Sequence, residues 1–163
     1  MVPHQAIEVA LAALTGPGGG AHPVAVLERH GVVAVLVDNP VGRAIVFVEH
    51  RDGQWVGPGI IGGQFHRTVD RRTETTPGQP IQRLSRSRYS TLTPDGEPSE
   101  LSWFGVTGIA AQDAAAVTIT SSIDSMRVDV GDDGLVFAVA QGRTDEKPGV
   151  VIHTRDGGAH LAP

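Results

Sequence analysis

Apolar and polar residues alternate with a period of two in the last third of the chain. Val117 and Ile119 alternate with Thr118 and Thr120, and Met126, Val128 and Val130 alternate with Arg127 and Asp129. Successive side chains of a strand point to opposite sides, so this order predicts strands with one buried and one wet face. Gly131-Asp132-Asp133-Gly134 then turns the chain into an apolar run over Leu135 to Ala140, and a further strand is expected at Val150 to His153, ending at Arg155-Asp156-Gly157.

Earlier in the chain the β-branched runs are continuous rather than alternating, over Val24 to Leu27, Val32 to Val37 and Ala44 to Val48. Such runs suit strands covered on both faces. Asn39-Pro40 and Gly42 supply turn residues between the second and third runs, and Asp52-Gly53 is a strong hairpin signal leading into Gln54-Trp55-Val56. The glycines of the stretch Gly57 to Gly63 are expected to break the regular pattern. Between residues 66 and 100 no periodicity is sustained, although Arg83 to Leu92 alternates in part and is expected to be an exposed edge strand.

One helix is predicted, at the N-terminus. Ile7, Ala10, Leu11 and Leu14 recur at helical spacing, and Gly16-Pro17 is a stop signal. Glu8 interrupts the apolar stretch and no basic residues precede it, so the segment reads as a structural helix and not as an export signal. The helix is one candidate cover for the apolar runs that follow. Gly16 to Gly20 reads as a connector. It lacks the preceding strand, the following helix and the Lys-Ser/Thr pair of a phosphate-binding loop.

Short strands with Gly/Asp turns at about ten-residue spacing predict a mainly β protein, an antiparallel β-sandwich or partly open barrel with one short N-terminal α-helix. The chain is read as a single β-rich domain over residues 1–163. An alternative organisation has sub-modules: helix plus hairpins over 1–65, an Arg-rich polar connector over 66–98 and an antiparallel module over 99–163. A faint echo between Val48–Pro58 and Val151–Pro163, each with a His and an Arg-Asp-Gly triplet, is consistent with related modules or with the general preference of hairpins for Asp-Gly.

Composition narrows the chemistry. With 163 residues and 40% hydrophobic content the chain can bury roughly two-thirds of its unfolded surface without covalent staples. The absence of cysteine removes disulfides, thiolate catalysis and cysteine-ligated zinc. No apolar stretch approaches the length of a membrane-spanning helix, and a cytoplasmic location is expected. No bound cofactor is expected.

Charge is unevenly placed. Residues 66 to 90 hold Arg67, Arg71, Arg72, Arg83, Arg86 and Arg88 against Asp70 and Glu74, a balance of +4. Residues 91 to 163 hold eleven acids and four bases, a balance of −7, in a chain of net charge −5. The six guanidiniums form a candidate anion-binding set, since the planar fork of arginine suits carboxylate and phosphate. The competing reading lays the basic segment on the acidic C-terminal sheet. The net negative charge, and Tyr89 as the one nearby stacking aromatic, argue against nucleic acid as a partner.

Other candidate sites are weaker. Seven histidines show no i, i+2 or i, i+4 pairing of the kind that places two imidazoles on one side, so no metal site is expected. Asp129, Asp132 and Asp133 do not fit a calcium loop and read as a solvated turn. No Gly-x-Ser-x-Gly elbow exposes a serine nucleophile. Trp55, Trp103 and Phe104, beside glycine-rich breaks, are candidates for core lids or interaction anchors. The preferred expectation is a non-catalytic binding or interaction protein for a protein partner or small anionic ligand, with exposed strand edges offering a route to a homodimer. The alternative is a small hydrolase-like enzyme with a site at strand ends, for which His50, Asp52 and His153 are the candidates.

Overall fold

The computed structural model describes residues 4–14, 20–40, 42–64 and 69–163. They are mainly β, in antiparallel sheets with one short helix, and the chain divides into two compact units, Met1–Arg67 and Thr68–Pro163. The division falls inside the stretch read from sequence as a connector, and most of that stretch belongs to the second unit.

The first unit carries α1 (His4–Leu14) and four strands in meander order, β1 (His22–Arg29), β2 (Val32–Asn39), β3 (Gly42–Arg51) and β4 (Gln54–Gln64). Alternate residues Val33, Val35 and Val37 of β2 and Val46 and Val48 of β3 share one sheet face and bury it against Ala6 and Ala10 of the helix, with Val9, Leu11, Leu14 and Trp55 packed at the margin. Small residues at the helix centre let the two backbones approach, which is why Ala6 rather than Ile7 is fully buried. The Asp52-Gly53 turn has both residues at positive φ, 49° and 80°, as a two-residue hairpin requires.

The irregularity expected at Gly57 to Gly63 takes the form of two register shifts, at residues 57–58 and at residue 63, rather than an end to the strand. β4 continues to Gln64, with Gly59 opposite Phe47 and Gly62 opposite Ala44 across the ladder. Glycine lowers strand propensity by entropy, but its amide and carbonyl pair as well as any other, and β3 supplies the partners.

The second unit contains β5 (Ile81–Leu92), β6 (Pro98–Ala110), β7 (Ala114–Thr120), β8 (Ser125–Asp129), β9 (Leu135–Arg143), β10 (Gly149–Thr154) and β11 (Ala159–Leu161). They form a three-stranded sheet, β5-β6-β9, and a four-stranded sheet, β11-β10-β7-β8. Phe104, Val106, Val136, Ala138 and Ala140 from the first sheet meet Val117, Ile119, Val150 and Ile152 from the second in one buried cluster, the arrangement of a β-sandwich. The period-two reading of β7 and β8 holds, because Met126 and Val128 pack on this cluster while Ser125, Arg127 and Asp129 are exposed. β5 is an edge strand, as its partial alternation suggested. β6, the longest strand among the described residues, went unread because it lies between two partners with continuous burial from Ser102 to Val106, and two-sided burial erases alternation.

Candidate ligand-binding cleft

The path of β5 decides where its arginines go. Ile81 opposes Ala110 and faces the sandwich core, but Arg83 and Leu84 together oppose the single residue Gly108, with Arg83 at φ 55°. This one-residue bulge reverses the phase of the strand, so that Arg86 pairs with Val106 and Arg88 with Phe104 on the core-facing side, while Ser85, Ser87 and Tyr89 take the other. Gly108 is required there, since a Cβ would lie 2.9 Å from Gln82 O and collide with the Ile81 side chain. Inward-pointing charges on an edge strand are also a known guard against edge-to-edge pairing.

Between this edge and the loop from Thr144 to Pro148 opens a cleft of about 430 Å³. Its floor is apolar, formed by Phe104, Gly105, Val106 and Ile119, and its walls carry Arg86, Arg88, Glu146 and Lys147, the last being the chain's single lysine. The size falls within the range of pockets for small organic ligands.

Each charged wall residue has a distinct role. Arg86 donates from Nε to Pro163 O at 2.8 Å, from Nη1 to Pro148 O at 2.8 Å and from Nη2 to Ala162 O at 3.3 Å, so backbone takes three of its five N–H groups. Partial burial lowers its pKa from the ordinary arginine value, which lies far enough above neutrality that it stays charged. Arg88 donates Nη1 to Thr144 O at 2.7 Å, and its Nε and Nη2 make no hydrogen bond to the described residues. The Glu146 carboxylate accepts from the Arg143 amide at 2.6 Å and from the Ser122 amide and hydroxyl, each at 3.0 Å. These donors, the Arg143 amide foremost, hold its pKa below the usual carboxylate range. A hydroxyl chain from Ser90 through Ser102 to Thr144 fixes the start of the loop to β6.

The remaining sequence candidates are placed as follows. Arg67 lies outside the described residues, as do His66 and most of the Gly16-to-Gly20 connector. Arg71 donates to Ala110 O, Ala111 O and Asp132 O at 2.8, 3.1 and 2.7 Å, and Arg72 to Gln79 O at 3.0 Å. Arg83 is exposed at the bulge. The arginines are therefore distributed along the second unit, and Arg86 and Arg88 are the two at the cleft. Phe104 is cleft floor, Trp103 is buried on the opposite face of the sheet, and Trp55 packs on the first unit's core.

His50 meets Trp55 edge to face with ring centroids 5.1 Å apart, and Asp52 is a turn residue. His153 shares a 2.7 Å hydrogen bond between Nε2 and Thr118 Oγ1 on the outer face of β10 and β7. Desolvation first, and then the charge of Arg127, lower its pKa. Among the described residues no three His, Asp or Glu side chains gather as a metal site would require. Glu146 and Lys147 were missed from sequence because the cleft depends on a loop folding back over β5, which no local pattern announces. Comparison with protein-family models, with curated proteins and with solved structures gives no match. Among the described residues no helix is long and apolar enough to cross a membrane.

Proposed function

We propose that this is a non-catalytic binding protein whose second unit takes a small anionic ligand into the cleft between β5 and the Thr144–Pro148 loop. The observation that carries this reading is the combination of an apolar floor with three cationic side chains, Arg86, Arg88 and Lys147, around about 430 Å³. An apolar floor supplies desolvation energy, and converging cations orient a charged group. The Arg88 Nε–Nη2 edge is the part of a guanidinium that matches an anion in two parallel hydrogen bonds. The reading places the protein in the cytoplasm and includes a homodimer, for which the support is the edge strand β11 with Leu161 67% exposed.

Thermal unfolding in the presence of small organic anions tests it. Selective binding to the folded form raises the midpoint, by about 2–4 °C for each kcal/mol of linkage in a chain of this length. The rise is expected for the native protein and should be lost in an Arg88→Ala, Lys147→Ala double variant. A midpoint unmoved by every anion, or moved equally in both proteins, would overturn the proposal.

A further inference from the structure

We infer that the cleft selects a monocarboxylate with an apolar body over a phosphate or a phosphate ester. This rests on the proposed binding role and sharpens it. Three features of the walls lead there. Three backbone carbonyls take three of the five Arg86 N–H groups and tie that fork to Pro148 and the chain end, so the open two-donor edge at the cleft is Arg88 Nε–Nη2, with the Lys147 ammonium and Ser87 also lining it. Two oxygens of one carboxylate fill the Arg88 edge, and the lysine adds a point charge.

The second feature is Glu146. Its carboxylate is held ionised by the Arg143 and Ser122 donors and lines the same cleft. Glu146 offsets part of the attraction that the cations exert on a dianionic phosphate, and such a group has more oxygens to satisfy than the Arg88 edge, Lys147 and Ser87 supply donors for. The third is the floor. Phe104, Gly105, Val106 and Ile119 present no polar side-chain atom, so inorganic phosphate or acetate would desolvate charge without burying any apolar surface in return. A carboxylate at the rim with hydrocarbon on the floor satisfies both halves of the cleft. Aliphatic and aromatic acids share that chemistry.

Isothermal titration of the full chain separates these outcomes, using octanoate, 3-phenylpropionate, phenyl phosphate, inorganic phosphate and octan-1-ol as probes. Octanoate or phenylpropionate is expected to bind at least about tenfold more tightly than phenyl phosphate, a difference of about 1.4 kcal/mol, with inorganic phosphate and octanol weaker still. The better of the two acids identifies the body as chain or ring. Glu146→Gln removes the fixed negative charge and should narrow the carboxylate preference over phenyl phosphate, while Lys147→Met should weaken both. Phenyl phosphate binding as tightly as either acid would sink the selectivity and leave the anion site standing. Octanol binding as tightly as octanoate, or no binding by any anion, would sink the site itself.

Discussion

Arg71 holds two separate parts of the second unit with one guanidinium, since its three carbonyl partners lie at the end of β6 and in the turn between β8 and β9. Charge-assisted bonds to backbone carbonyls stabilise more than neutral ones, and the carbonyls would be left short of donors if the side chain were removed. Arg71→Ala is expected to lower the unfolding free energy by about 2–3 kcal/mol in urea melts, and Arg71→Lys to recover little of it because an ammonium cannot span the three oxygens. Proton linkage acts in one direction at three other residues. Glu146 and Asp156 have folded pKa values lowered by hydrogen bonds, from the Arg143 amide and the Thr154 hydroxyl first, so they contribute stability above the ordinary carboxylate range that is lost as pH falls through their lowered values. His153, also lowered, binds its proton more readily unfolded, so it begins to cost stability as pH falls below about 6.5. His153→Gln should flatten the stability profile just below that pH and leave the more acidic limb unchanged. A steeper profile in the variant would refute the assignment.

The bulge at Arg83 and Leu84 is the element-level feature on which the cleft depends. Without it the odd-numbered residues Ser85, Ser87 and Tyr89 would face the core, and both cleft arginines would point the other way. Arg83→Pro forces φ near −65° where the chain needs 55°. It is expected to destabilise the protein by about 3 kcal/mol or more and to abolish anion-dependent thermal shifts even at temperatures where the fold persists. Retained shifts would show that the register does not set the site. The same feature explains what could be read from sequence. β7 and β8 have one wet face each, and their alternation was plain. β5 alternates only in part because an extra residue resets its period midway. β6 is central and β4 is rich in glycine, and in both the deciding interactions are backbone bonds to neighbouring strands, which side-chain order does not report.

At the scale of the molecule, the sequence shows a basic segment followed by an acidic one, and two fates were open to the arginines: binding an external anion or neutralising the acidic sheet. Among the described residues, the guanidinium hydrogen bonds of Arg71, Arg72, Arg86 and Arg88 all run to backbone carbonyls rather than to carboxylates. Arginines of this kind cap the ends and loops of the sandwich. Their concentration in sequence therefore reflects structural demand at several separated points, and the positive character at the cleft is local, made by two of them with Lys147 inside a unit of net negative charge. This locality favours a compact ligand over an extended polyanion, whose binding requires a continuous basic track. Locality also makes the claim directly measurable. In a titration of ¹⁵N-labelled protein with octanoate, amide shifts should concentrate at residues 86–88, 104–106 and 144–149 and leave the Asp52-Gly53 hairpin and the Thr118–His153 pair unmoved. Shifts centred elsewhere, or spread evenly over both units, would contradict a ligand site at the β5 edge.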